Sequence, residues 1–247
     1  MEHKDLLESY LRQLRLPSFV RNYQAFAADA ARSNLDYTRY LLALAEQEVH
    51  KREQNCIQKR VRLARFPVLK ELADFDFSAL PTLNKAQVLD LSRGEYIRRR
   101  EPIVFIGNPG LGKTHLAISL ALSACYQGHK VRFWTAAGLV NELLQAQDEH
   151  RLHRFISAAL KLDLIVLDEL GFIPFSASGA HALFTFCSEV YERLALIITT
   201  NLKFADWVQV LGDERLTAAL LDRITHHAHI LELVGESFRF RERYRDG

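Results

Sequence analysis

Cysteine is scarce and poorly spaced for pairing. Cys56, Cys125 and Cys187 are odd in number, far apart and in no CxxC arrangement. That argues against a disulfide framework or a zinc site, fits a reducing compartment, and leaves the three to be read as core fillers. Glycine is absent from residues 1–66, and proline occurs there once, as Pro17. A segment so short of turn residues has few ways to be anything but helical. Long apolar runs are missing too. The first ten residues carry Glu2, Lys4, Asp5 and Glu8, unlike a signal peptide, and no run approaches membrane-spanning length. A cytoplasmic location with no membrane partner is expected. A strong net charge is also absent, the sum being +2, but residues 1–100 hold 18 Lys/Arg against 13 Asp/Glu while residues 101–247 hold 14 against 17.

The 247 residues are 49% hydrophobic and 25% charged, enough to bury a full core with room for an accessory domain. Apolar residues at helical spacing, such as Leu7, Leu11 and Leu14, predict a first helix, and a second covers 19–32. A third starts near Tyr37 and continues until Pro67 breaks it. Its far end is basic: residues 51–70 contain Lys51, Arg52, Lys59, Arg60, Arg62, Arg65 and Lys70 against the single acid Glu53. Such a run is an electrostatic footprint for polyanions or simply a solvated helix face. Pro67, Pro81 and Gly94 punctuate residues 67–101, which read as a linker and entry segment. The expected division is therefore a helical domain at 1–66, suited to DNA or a partner, and a second domain at 67–247.

From residue 103 onward apolar runs at 103–106, 131–135, 163–168, 195–200 and 229–234 alternate with helical stretches at 113–127, 138–160, 178–192 and 214–224. Strands with intervening crossovers predict an α/β fold, a parallel sheet with helices on both faces and a ligand at the carboxyl ends of the strands. Between the first strand and its helix stands Gly107-Asn108-Pro109-Gly110-Leu111-Gly112-Lys113-Thr114, a complete GxxxxGK[ST] phosphate-binding loop. Its glycines let successive backbone N–H groups point inward, and the helix N-terminus that follows favours an anion. Lys113 is expected at the β and γ phosphates of a nucleoside triphosphate, and Thr114 on Mg²⁺.

Four apolar residues, Leu164 to Leu167, lead into Asp168-Glu169. Asp168 at that strand end would help hold Mg²⁺, and Glu169 would activate the attacking water. The strand ending Thr199-Thr200 is followed by Asn201, which can hydrogen-bond the water or the γ phosphate, or merely start a turn. Arg223, late on a helical pattern, can complete a neighbouring subunit's site by stabilising transition-state charge, or be surface charge. His226, His227 and His229 invite a metal reading, but neighbours on a strand point to opposite faces and Mg²⁺ prefers oxygen. The last arginines, from Arg239 to Arg245, alternate at period two and suit DNA or nucleotide contact, or form a frayed basic terminus.

Taken together, the phosphate loop with its His115-Leu116-Ala117 continuation, Leu167 to Gly171, Thr200-Asn201, Leu221 to Ile224 and Gly235 to Arg239 resemble the IstB family. These are AAA+ ATPases that assist the transposase of two-gene insertion sequences and are close relatives of the DnaC-type helicase loaders. The likeness extends over nearly the whole chain, including Ala64 to Pro67 and Phe75-Asp76-Phe77, and departs at Phe238, where tyrosine is usual. It implies an AAA+ sheet of order 5-1-4-3-2 without a separate lid domain. It also implies ATP at residues 107–115 and Asp168, catalytic roles for Glu169, Asn201 and Arg223 in trans, and Arg239 in place of a lid arginine.

The function so implied is that of an ATP-dependent homo-oligomer with intersubunit ATP sites, which assembles on duplex DNA and stimulates a partner transposase. Lys51, Arg52, Lys59, Arg60, Arg62 and Arg65 would supply the phosphate contacts. A helicase loader that binds single strands is the first alternative. A self-contained small-molecule kinase is the second, and it leaves the basic helix and Arg223 unemployed.

Overall fold

A computed structural model of the chain describes residues 2–235 together with Ser237 and Phe238. Two compact units are formed, Met1–Lys59 and Arg60–Gly247. Arg239 and the arginines after it lie outside the described residues. Among those described, no helix is long and apolar enough to cross a membrane.

The first unit consists of α1 (Glu2–Gln13), α2 (Pro17–Arg32) and most of α3 (Tyr37–Ala64). Its apolar interior is thin: Leu11, Ala30 and Leu44 are buried, whereas Leu7 and Leu14 are 44% and 66% exposed. A buried carboxylate compensates. Glu48 accepts hydrogen bonds from the Ser18 backbone N–H (2.9 Å) and from Arg52 Nε (2.7 Å), and Arg52 also donates to the Arg15 carbonyl. Without glycine, these helices end on other residues in the left-handed conformation, Arg15 (φ 57°), Asn34 (φ 50°) and Arg65 (φ 57°). After α1, the Leu16 N–H bonds back to the Leu11 carbonyl and the Arg15 N–H to the Arg12 carbonyl, the pairing that satisfies a helix C-terminus.

In the second unit five parallel strands, β1 (Ile103–Gly107), β2 (Val131–Thr135), β3 (Leu164–Leu170), β4 (Ala195–Thr200) and β5 (His229–Leu233), stand in the order β2-β3-β4-β1-β5. This is the expected 5-1-4-3-2 order read from the other edge. Side chains alternate across the pleat. Ile103, Phe105, Val166 and Ile197 point to one core, with α6 (Lys113–Tyr126), and Val104, Ile165, Leu167 and Ile198 to another, with α7 (Ala136–Asp148), α8 (Leu152–Ala159), α9 (Ala177–Val190) and α11 (Glu214–Thr225). Both faces being covered, Ile103, Val104 and Phe105 of β1, Leu164 to Leu167 of β3 and all of β4 are buried, and each such Ile or Phe contributes about 2 kcal/mol.

Three expectations need correction. Residues 67–101 are no loose linker: they contain α4 (Lys85–Leu91) and α5 (Glu95–Arg99) and put Leu80, Leu83, Val88 and Ile97 into the core beside α6. The helix expected over 138–160 is broken. His150 is left-handed (φ 54°), and Arg151 N–H bonds to the Ala146 carbonyl, closing α7 before α8 begins. A remaining short helix, α10 (Val208–Leu211), precedes α11. Cys56, read as a core filler, is exposed, while Cys125 and Cys187 are buried.

Candidate nucleotide-binding site

β1 delivers the chain at Gly107 to the carboxyl edge of the sheet, and α6 begins at Lys113. The loop between them needs glycine where the backbone is left-handed, at Gly110 and Gly112 (both φ 84°). A Cβ on Gly112 would also stand 2.7 Å from the Phe75 ring. Lys113 Nζ donates to the Gly107 and Asn108 carbonyls at 2.7 and 2.8 Å, which turns the ammonium back over the loop. Two segments outside the motif brace it. Phe75 packs edge-on against His115, whose Nε2 meets the Glu71 carbonyl at 2.9 Å, and the Phe238 N–H donates to the Gly110 carbonyl at 3.0 Å.

β3 and β4 carry the acidic pair to the same edge. Asp168 is buried, and Thr114 Oγ1 donates to its Oδ1 at 2.8 Å. Directing its hydrogen at the carboxylate leaves the threonine oxygen's lone pairs for a cation. Hydroxyl and carboxylate oxygens are the hard donors that Mg²⁺ takes, so the residues present fit that ion. The ladder between the strands is irregular at this point: Leu167 pairs with Ile198, but Leu170 pairs with Thr200. Asp168 and Glu169 therefore stand opposite the single residue Thr199, a bulge. Glu169 is left-handed (φ 59°), a conformation that costs a non-glycine residue about 1–2 kcal/mol.

A cleft of about 460 Å³ brings the loop together with Glu169, Thr199, Thr200 and Asn201, and it extends to Phe75, Leu80 and Phe238. All the loop positions from Pro109 to His115 line it. Arg223 does not. It lines a second cleft, of about 480 Å³, together with Pro102 and Leu194, which precede β1 and β4 at the opposite edge of the sheet. There its guanidinium lies 5.1 Å over the Phe184 ring and donates to the Ala219 carbonyl.

The six basic residues of α3 and its end are not equivalent. Arg52 is committed to Glu48 and Arg15, and Arg60 Nε donates to the Cys125 carbonyl at 2.8 Å. Lys59, Arg62 and Arg65 are exposed, and Lys51 is half-exposed. Of the histidines, His229 meets Glu101 at 2.9 Å and His226 meets the Tyr191 hydroxyl at 2.8 Å. Sequence reasoning missed Phe75, Phe238 and Thr199 as parts of the site. Only Thr199-Thr200, a polar end on an apolar strand, left a local trace.

A strand, a glycine-rich phosphate loop and an acidic strand two places away in a 5-1-4-3-2 parallel sheet define a P-loop fold of the AAA+ type. Solved structures agree at the level of the fold: the DnaC helicase loader (TM-score 0.52, 23% identity, 60% of this chain and 87% of that one) and DnaI (TM-score 0.56, 17% identity, 70% and 93%). The chain belongs to the family of IstB-like ATP-binding proteins, whose model matches residues 9–246. Among its relatives is an insertion sequence IS5376 protein of Geobacillus stearothermophilus, named for ATP binding, 36% identical over 97% of this chain and 96% of that one. A second, from insertion sequence IS21 of Pseudomonas aeruginosa and named likewise, is 34% identical over 98% and 91%.

Proposed function

We propose that the chain binds and hydrolyses ATP with Mg²⁺, assembles on duplex DNA in its ATP-bound form with hydrolysis resetting the assembly, and assists the transposase of its insertion sequence. The observation that carries the enzymatic part is the Thr114–Asp168 hydrogen bond, which joins phosphate loop and acidic strand in one cleft with Glu169 and Asn201 at its wall. The insertion-sequence relatives, matched over nearly their whole length, support the biological part.

The roles follow from the chemistry of each group. Lys113 exchanges its carbonyl partners for phosphate oxygens, and the α6 N-terminus adds backbone N–H donors. Thr114 and Asp168 would hold Mg²⁺, which would supply positive charge against the phosphates. Glu169 takes the proton of the attacking water, and Asn201 holds that water by its amide. Arg223 belongs to the other edge of the sheet, so its part in hydrolysis is played at the cleft of a neighbouring copy.

Duplex DNA is expected to stimulate ATP hydrolysis by the full chain more than single-stranded DNA of equal length. Preferential stimulation by single strands would replace this reading with that of a helicase loader.

A further inference from the structure

We infer that Thr199 is a positioning residue for hydrolysis: through its hydroxyl it fixes the backbone of Glu169, and so the direction from which that carboxylate reaches the water. The inference rests on the reading of Glu169 as general base. Thr199 is fully buried, 1% exposed, inside a strand whose five preceding and following neighbours are otherwise closed to solvent, yet its hydroxyl is used twice. The O–H donates to Asp168 Oδ1 at 2.6 Å, and the oxygen accepts the Glu169 backbone N–H at 2.9 Å.

This double use depends on the bulge. Where strands pair regularly, a backbone N–H at the position of Glu169 would meet a backbone carbonyl, but between Leu167 and Leu170 two residues face one. The N–H left over is taken by a side chain. Thr199 is the one residue of β4 opposite both acids, and a valine there would fill the same space with no oxygen. Because the accepted N–H belongs to a residue in the left-handed region, the bond holds Glu169 in a conformation it would otherwise leave readily. The donated proton falls on the carboxylate oxygen that Thr114 also bonds, so Thr199 ties the metal-side acid and the water-side acid to one hydroxyl. A structural polar residue would need only a partner; this one orders two functional groups relative to each other.

The test is steady-state hydrolysis of Mg²⁺-ATP by the full chain, with nucleotide affinity measured alongside. Thr199→Val is expected to lower kcat by about 100-fold, the low end of what a general base contributes, while KM and ATP affinity change by less than about threefold. Thr199→Ser, which keeps the hydroxyl, should return kcat to within about fivefold of the parent, and Thr199→Ala should behave as Val does, so a packing fault in one variant does not decide the result. In a Glu169→Gln background Thr199→Val should remove little further activity, because both changes act on one step. The control separates the two ideas. Ordinary turnover in Glu169→Gln would overturn the reading of Glu169 as base, whereas loss in Glu169→Gln with ordinary kcat in both Thr199→Val and Thr199→Ala would overturn the positioning role alone. Loss in Thr199→Ser equal to that in Val would also overturn it.

Discussion

A thiol reacts as its anion, and only where reagent can reach it. Burial pushes the Cys125 thiol up to about 11 and the Cys187 thiol up to about 12, whereas Cys56 stands exposed on α3. A maleimide added to the native chain at neutral pH should therefore modify one site, Cys56, with the other two labelled only after denaturation; peptide mapping by mass spectrometry reads this directly. Early labelling of Cys187 would mean that the core around α9 opens. Individual residues differ in how legible they are. The phosphate loop is readable because its glycines, lysine and threonine are consecutive and each type is demanded by local geometry. Thr199 is not, since its task arises from a register shift between two strands that are remote in sequence. The partners of Arg52 and Arg60 are illegible for a related reason: charge can be counted along a chain, but the Glu48 carboxylate and the backbone carbonyls these arginines bond cannot be read there.

Among elements, α3 differs in character along its length. Near its middle Glu48 is buried; burial raises its carboxyl, but the hydrogen bonds from Arg52 and Ser18 outweigh this and hold it below its ordinary value of 4.5. A carboxyl lowered on folding stabilises the fold fully above 4.5 and loses that contribution as pH falls through its folded value. Glu48→Gln keeps one acceptor oxygen where the Ser18 N–H and Arg52 Nε now use two, so it should be less stable than the parent at pH 7 by about 1–3 kcal/mol, and the gap should close in acid. Thermal unfolding followed by circular dichroism across pH 7 to pH 3 checks it; a gap that persists below pH 4 would place the effect elsewhere. Toward its end α3 presents Lys59 and Arg62. Replacing both by glutamate should weaken duplex binding and cut the salt slope of log K by about 2, which fluorescence anisotropy at several ionic strengths can measure. Helices of this kind were legible from apolar spacing and from Pro67. The break at His150 was not, because it uses a left-handed residue where the usual signal is glycine, and the pieces within 67–101 were too short to show a period.

For the whole molecule, the parallel sheet and its two covered faces follow from alternating strands and helices, and the family likeness supplied the strand order that alternation alone leaves open. The separation of Arg223 from the phosphate loop was legible only as a role and becomes spatial in the structure, where the two sit at opposite edges of one sheet. If the proposed sites are shared, Arg223→Ala and Glu169→Gln chains should each be inactive alone yet recover part of the ATPase activity when mixed, since some interfaces then join an intact cleft to an intact arginine. No recovery at any mixing ratio, with assembly retained, would sink the shared site. If the sites are shared, the same separation would give an assembly a direction. On that reading, in an open row of copies one terminal subunit would offer a cleft with no arginine and the other an arginine with no cleft, so one end could hold nucleotide it could not spend and the other could only recruit. Turnover per subunit would then climb with row length and level off, whereas a closed ring would reach its full rate the moment the last copy joined.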